Sequence, residues 1–90
     1  MSKNQEYALQ YADYAMAQMR RYGIPASVTL AQGILESSNG QSRLARNENN
    51  HFGIKATPSW IAGGGKYGIY TEDKPNEKFC SYDSVGDSYE

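Results

Sequence analysis

Residues 29–40 read TLAQGILESSNG, and this stretch predicts a helix that carries one carboxylate into a polar turn. Four apolar residues recur at the spacing of one helical face, which predicts that they are buried: Leu30, Ala31, Ile34 and Leu35. The serines, asparagine and glycine of residues 37–40 then end the helix, and Asn39 or Gly40 suits the left-handed backbone that closes it. Glu36 therefore lies in the last helical turn.

Glu36 is the candidate for acid–base chemistry. The unpaired carbonyl groups at the end of a helix carry negative partial charge, so a carboxyl group there, beside apolar side chains, is favoured in its protonated form. A general acid needs this property at neutral pH. Taken alone, the carboxylate favours the simpler interpretation of a solvated glutamate at the end of a surface helix.

Two motifs resemble the signature of a bacterial enzyme family. Residues 34–45, ILESSNGQSRLA, and 49–55, NNHFGIK, match in order and spacing the pattern of the cell-wall glucosaminidases. This is glycoside hydrolase family seventy-three, whose flagellar and autolysin-type members have a lysozyme-like fold. Residues 22–32, YGIPASVTLAQ, also fit the family. The resemblance covers residues 5–90 and implies an α+β fold, mostly helical and lysozyme-like, with a small β-hairpin lobe.

The resemblance implies hydrolysis of the β-1,4 bond between N-acetylglucosamine and N-acetylmuramic acid in peptidoglycan, with Glu36 as the acid. Glycoside hydrolysis generally uses two carboxyl groups. The family places the second on the hairpin lobe across the cleft, where Glu72 is the better match and Asp73 the next. Because neighbouring strand residues face opposite sides, only one of these two is expected to face the cleft. Retaining, inverting and substrate-assisted mechanisms all stay open, and so does an interpretation of both residues as solvated loop carboxylates.

Four further residues are candidates for binding the glycan. Asn50 and Phe52 belong to the second motif, and Trp60 and Tyr70 are aromatic residues of the predicted lobe. Eight tyrosines and one tryptophan in the chain suit a carbohydrate groove, because aromatic rings offer an apolar face with a polar edge. Packing in the core explains each of the four equally well.

Length and composition narrow the possible partners. Ninety residues allow a single domain, residues 1–90, and a formal net charge of −1 without clustered Lys or Arg argues against a nucleic-acid partner. The lone His51 and lone Cys80 provide neither a set of metal ligands nor a disulfide, and family members need no metal, so no cofactor is expected.

No apolar run approaches the ~18 residues of a membrane span. Residues 1–6 lack the apolar segment of a secretory signal, so action at the cell wall, periplasmic or extracellular, is expected to depend on a different secretion route, on phage-driven lysis or on a parent chain.

Periodicity and turn residues place the secondary structure. The sequence predicts helices at residues 4–22, 26–38 and 41–46, a short strand at 54–56, a hairpin from 67–71 and 77–82, and the start of a helix at 83–90. The tyrosine and methionine stripe of the first helix is expected in the core. Gly33, inside the second helix, predicts a close packing contact.

In the family further helices follow this point, so the resemblance implies that C-terminal helices are missing here. Two alternatives to an active hydrolase follow from that expectation. One is a peptidoglycan-binding module with weak or no turnover. The other is a homo-oligomer in which a second copy covers apolar surface that the missing helices leave exposed.

Overall fold

The chain forms five helices and one β-hairpin, and the computed structural model describes all of residues 1–90. The elements are α1 (Lys3–Tyr22), α2 (Ala26–Ser37), α3 (Arg43–Glu48), α4 (Pro58–Ala62), β1 (Tyr67–Tyr70), β2 (Glu77–Cys80) and α5 (Val85–Ser88). This is the mostly helical α+β architecture that the sequence predicts. None of the helices combines the length and the apolar content that a bilayer crossing requires.

Local signals set the ends of the long helix α1. The Ser2 side chain accepts a hydrogen bond from the backbone N–H of Gln5, and the Gln5 side chain accepts one from the backbone of Ser2, which is a complete capping box. At the other end Gly23 takes a left-handed conformation with φ of 74°. The predicted helix at 4–22 is therefore confirmed to within one residue.

The short helices depend on single capping side chains. Ser42 accepts a hydrogen bond from the N–H of Ala45, and therefore α3 begins two residues later than the sequence predicts. Helix α4 was not predicted, although Thr57 caps it and Pro58 occupies its first position, where a missing N–H is harmless. Ser84 caps α5, as expected for the helix start at 83–90.

The hairpin lies where the turn residues predict it. Strands β1 and β2 pair antiparallel, with Tyr67 opposite Cys80 and Tyr70 opposite Glu77. The predicted strand at 54–56 is reduced to one bridge, in which Lys55 faces Phe79. Two backbone hydrogen bonds of 2.9 Å, from Ala56 to Lys78 and from Cys80 to Ile54, fasten this segment to the outer edge of β2.

The buried face of α2 differs from the predicted one. Thr29, Gly33 and Ser37 are buried, one turn apart, whereas Leu35 is 76% exposed. Leu30 and Ile34 are only half-buried and Ala31 is exposed, so the predicted apolar stripe is wrong as a description of the core. The reason is the partner surface, because Tyr7 of α1 and Tyr89, next to α5, place their hydroxyls against Gly33, where only a small residue leaves room for them.

A hydrogen-bonded group of aromatic side chains occupies the core. The Tyr7 hydroxyl lies 2.7 Å from Nδ1 of His51 and 2.6 Å from the Tyr89 hydroxyl, and all three residues are buried. Gly33 makes room for them, since a Cβ there would lie 2.6 Å from the Tyr7 hydroxyl. Burial raises the pKa of Tyr7 and Tyr89 and lowers that of His51. The packing contact predicted for Gly33 is therefore confirmed, and His51 has a hydrogen-bonding role.

Only part of the predicted stripe on α1 is in the core. Tyr7 and Ala15 are buried and Tyr11 is half-buried, but Met16 and Met19 are about 40% exposed. Other large apolar side chains are also exposed on the two long helices: Leu9, Tyr22 and Val28. The prediction of core packing is therefore correct at the start of the stripe and wrong for the methionines.

The close approach at Gly33 gives a first prediction. Gly33→Ala should lower the free energy of unfolding by about 1–3 kcal/mol, because an overpacked core outweighs the helix propensity that alanine adds, up to ~1 kcal/mol. Urea unfolding measures the change, and Gln32→Ala, an exposed neighbour on α2, is the control. In a Tyr7→Phe background the penalty should shrink, since the nearest hydroxyl is gone. An equal penalty in both backgrounds would contradict this account.

Burial of His51 predicts that the free energy of unfolding depends on pH. Its pKa in the folded state lies below the ordinary 6.5, so below that pH the unfolded chain binds more protons than the folded one. The stabilising contribution is thus complete above pH 6.5 and is lost as the pH falls towards the folded pKa. Urea midpoints measured from pH 7.5 to 5 should decrease, and His51→Gln should flatten the curve between 6.5 and 5.5. Parallel curves for the two proteins would rule out His51 as the cause.

Candidate active site

A cleft of about 390 Å³ lies between the end of α2, the start of α3 and the hairpin. It brings together four of the residues singled out in the sequence: Glu36, Tyr70, Glu72 and Asp73. Arg43, Lys55, Lys74 and Glu77 also line it, so its walls are predominantly charged. Carboxylates from two separate elements thus share one concave surface, which is the arrangement that glycoside hydrolysis requires.

The turn after α2 presents Glu36 to this cleft. Ser38, Asn39 and Gly40 all have left-handed backbone, with φ of 50°, 57° and 78°. The Ser37 hydroxyl donates to the Gly33 carbonyl at 2.5 Å and accepts from the N–H of Gly40 at 2.8 Å, so it holds the turn against the helix. The helix end predicted around Glu36 is confirmed, with three left-handed residues where one, Asn39 or Gly40, was expected.

Glu36 lies at the cleft beside the backbone of Gly53. A Cβ on Gly53 would lie 3.5 Å from Oε2 of Glu36, so the second motif packs directly behind the first. Glu36 forms no ion pair, and the nearby Lys55 is engaged by Glu77 at 2.9 Å. The side chain is exposed, and Leu35 beside it faces solvent, so the apolar surroundings predicted for the carboxyl are not formed by this helix.

The hairpin forms the opposite wall. β1 ends at Tyr70, so Glu72 and Asp73 belong to the following turn and both line the cleft. The expectation that strand alternation would turn one of them away is therefore wrong. Oε1 of Glu72 lies 3.2 Å from Nη1 of Arg43. The Tyr70 hydroxyl donates to Oε2 of Glu48 at 2.5 Å, and burial together with this hydrogen bond raises the pKa of Tyr70.

Three proposed glycan-binding residues lie outside the cleft, and Asn50 is the most deeply buried of them. It is 1% exposed, and its Nδ2 donates to the carbonyls of Ile54 and Cys80 at 3.0 and 2.9 Å. Its Oδ1 accepts from the N–H of Ile54 at 3.1 Å. Asn50 thereby joins the second motif to β2 and fixes the segment that carries Gly53.

Phe52 and Trp60 pack elsewhere. The Phe52 ring meets that of Tyr89 edge to face, 4.7 Å between centroids, next to a separate apolar groove. The Trp60 ring contacts Tyr82 at 5.6 Å, and its Nε1 donates to the Lys66 carbonyl at 2.8 Å. Of the four binding candidates, Tyr70 alone is at the cleft.

Arg43 and Glu48 were not predicted as site residues. Arg43 lies between Ser42 and Leu44 within the first motif, and Glu48 directly precedes the second motif. Their partners Glu72 and Tyr70 lie 29 and 22 residues away in sequence, so no local signal marks these contacts. No group of three His, Cys, Asp or Glu side chains is arranged to hold a metal ion.

Comparison with known proteins decides the family. The sequence model of the glucosaminidase family, described as mannosyl-glycoprotein endo-beta-N-acetylglucosaminidase, matches residues 12–90. The chain belongs to this family. Both motifs and the cleft they build lie inside the matched region. A search of curated proteins gives no match.

Two solved structures resemble this glucosaminidase domain. The glycoside hydrolase domain of FlgJ from Salmonella typhimurium is 31% identical with a TM-score of 0.77, and the catalytic domain of the autolysin Auto from Listeria monocytogenes is 27% identical with a TM-score of 0.74. Each comparison covers 99% of this chain but only 57% and 53% of the other. The chain therefore spans a little over half the length of these relatives.

The contacts of Asn50 predict a structural role. Asn50→Ala should lower the free energy of unfolding by about 2–3 kcal/mol, because it leaves the N–H of Ile54 and the carbonyl of Cys80 without their Asn50 partner. Gln41→Ala, at an exposed position, is the control and should change stability by less than ~0.5 kcal/mol. Thermal and urea unfolding measure both. An Asn50→Ala protein of full stability that fails to bind glycan would instead make Asn50 a substrate contact.

Proposed function

We propose that this domain hydrolyses the β-1,4 bond between N-acetylglucosamine and N-acetylmuramic acid in peptidoglycan, with Glu36 as general acid. One observation carries the proposal: Glu36 stands in a cleft opposite Glu72 and Asp73, without an ion pair of its own, in a member of the glucosaminidase family. The autolysin among the solved relatives supports a cell-wall substrate. Action at the wall, periplasmic or extracellular, is part of the proposal.

The roles of the carboxyl groups follow from their positions. Glu36 donates its proton to the glycosidic oxygen as the bond to the sugar carbon breaks, and the leaving sugar departs with a new hydroxyl. Glu72 is our choice for the second carboxyl, since Arg43 pairs with it at the cleft wall and Asp73 has no ion-pair partner. It acts as nucleophile or as base for water, unless the acetamido group of the substrate takes this part.

Tyr70 is the proposed glycan contact. Its ring stands at the cleft, and its hydroxyl donates a hydrogen bond to Glu48. Asn50 and Phe52 contribute by holding the backbone and core behind the site, and Trp60 by fixing the loop before the hairpin. No metal or other cofactor enters the proposed reaction.

The first test is digestion of purified peptidoglycan with mass spectrometry of the released fragments. Wild type should release fragments with reducing N-acetylglucosamine ends, and Glu36→Gln should lower the rate by about 10²–10⁴-fold because general-acid catalysis is lost. Glu6→Gln, exposed on α1, is the matched control and should leave the rate unchanged. Reducing N-acetylmuramic acid ends would assign a different bond. Equal rates for Glu36→Gln and wild type would refute the role of Glu36.

A second candidate function is glycan binding in the same cleft without catalytic turnover. Glu36, Glu72 and Asp73 are all exposed, and such an open cleft favours binding over exclusion of water from a reacting bond. Sedimentation with cell walls without release of reducing ends would favour a binding module. Cleavage of a mannosyl-glycoprotein, the substrate in the family's description, would move the proposal to another glycan.

Self-association is the remaining alternative. Leu35 and Val28 on α2 are 76% and 48% exposed, and exposed apolar side chains on one helix favour association. Light scattering over a range of concentrations measures the mass, and a monomer throughout would exclude this alternative.

A further inference from the structure

Helix α3 reaches the hairpin wall of the cleft through two side chains, one at each of its ends. Arg43, its first residue, pairs with Glu72 and also places its guanidinium carbon 5.7 Å from the centroid of the Tyr70 ring. Glu48, its last residue, accepts the hydrogen bond of the Tyr70 hydroxyl. The same tyrosine is thus held at its edge by one end of the helix and covered on its face by the other.

We infer that Arg43 is the positioning residue for the second carboxyl group, and that Glu48 holds the tyrosine ring on which Arg43 rests. The inference deepens the proposed function and rests on it for its catalytic consequence. It assigns to α3 a role that neither motif indicates: to set where Glu72 stands across from Glu36.

The chemistry of arginine suits this task. Its planar guanidinium stacks on an aromatic face while its N–H groups remain free to pair with a carboxylate, whereas the ammonium of lysine offers no flat surface. Arg43 makes both contacts at once, to the Tyr70 ring and to Glu72. Two contacts fix the direction of a long side chain better than an ion pair alone.

Stability does not explain the Arg43–Glu72 pair. The two side chains are 67% and 63% exposed, and an ion pair this open contributes little to folding because water competes for both charges. Its effect is on orientation, since Glu72 belongs to the turn of residues 71–76 and has no other side-chain partner. Without Arg43, its carboxylate has the freedom of an exposed turn residue.

The Tyr70 ring, on which Arg43 stacks, is held in place by contacts of Glu48 and Phe79. The Glu48 carboxylate lies against the backbone of Gly68, where any side chain would overlap with it. The Glu48 carbonyl also accepts a backbone hydrogen bond of 2.8 Å from Tyr82. The end of α3 is thereby fixed to β1 and to the segment that follows β2, and Tyr70 packs edge to face on Phe79 at 6.1 Å.

Kinetics of Arg43→Gln on soluble peptidoglycan fragments test the inference. We expect kcat to fall by about 10–100-fold, the loss that misplacement of a catalytic group produces, with KM changed less than about threefold. Arg43→Lys should recover only part of kcat because it restores the charge without the stacking. Arg46→Gln, on the same helix without an ion pair, is the control and should match wild type.

A double variant separates positioning from other roles. Since Arg43 acts through Glu72, Arg43→Gln combined with Glu72→Gln should be no slower than Glu72→Gln alone. The inference would be overturned if the two substitutions lowered kcat by factors that multiply in the double variant. It would also be overturned if Arg43→Gln changed KM alone, or left kcat unchanged.

The inference can also be tested by NMR if the chain has no catalytic activity. In ¹³C-labelled protein the carboxyl resonance of Glu72 should shift in Arg43→Gln and stay unchanged in Arg46→Gln. If wild type cleaves no peptidoglycan, the proposed function fails, while this shift still supports the contact that positions Glu72. An unchanged Glu72 resonance in Arg43→Gln overturns the inference whatever the activity.

Discussion

The hydrogen-bonded group of Tyr7, His51 and Tyr89 is the contact on which the rest of the structure depends. It joins the first helix, the second sequence motif and the last residues of the chain at one buried point. Buried hydroxyl and imidazole groups are tolerated only when their hydrogen bonds are satisfied, and no buried side-chain nitrogen or oxygen in this chain lacks a partner. The group specifies one arrangement of these three segments, because any shift leaves a polar atom unpaired.

This polar core explains the unusual surface of α2. Tyrosine hydroxyls approach the helix so closely that glycine is required at residue 33, and Ser37 uses its hydroxyl to hold the turn that follows. The helix is therefore placed by its small residues, and its larger apolar residues are left partly exposed. The same arrangement sets the end of the helix, and with it the position of Glu36.

The cleft is built from opposite sides of the fold. Glu36 comes from the end of a helix that is fixed by the core, and Glu72 from a turn that the core does not reach. Asn50 links the two, because it holds the segment behind Glu36 to β2 of the hairpin. Helix α3 adds a second link through Arg43 and Glu48, directly at the cleft wall. The proposed hydrolysis of a glycan needs both walls, because each wall contributes one of the two carboxyl groups.

The sequence by itself determined those features that depend on neighbours within a few residues. Ser2 and Gly23 mark the ends of α1, the polar turn after Glu36 ends α2, and the turn residues at 73–76 place the hairpin. Each signal acts through backbone hydrogen bonds or φ preferences that are local. The family is likewise indicated by two short motifs whose residues are close together along the chain.

Only the tertiary structure decided which side chains meet. Tyr7 contacts residues 44 and 82 positions away, and these contacts turned Gly33 inward and Leu35 outward. Apolar periodicity identified the wrong face of α2, because it assumes a hydrocarbon partner and the partner here is a set of hydroxyl groups. For the same reason the sequence left Asn50 undecided between packing and glycan binding and did not indicate the contacts of Arg43. The partners of these polar residues lie 30 and 29 positions away, and only the folded chain brings them together.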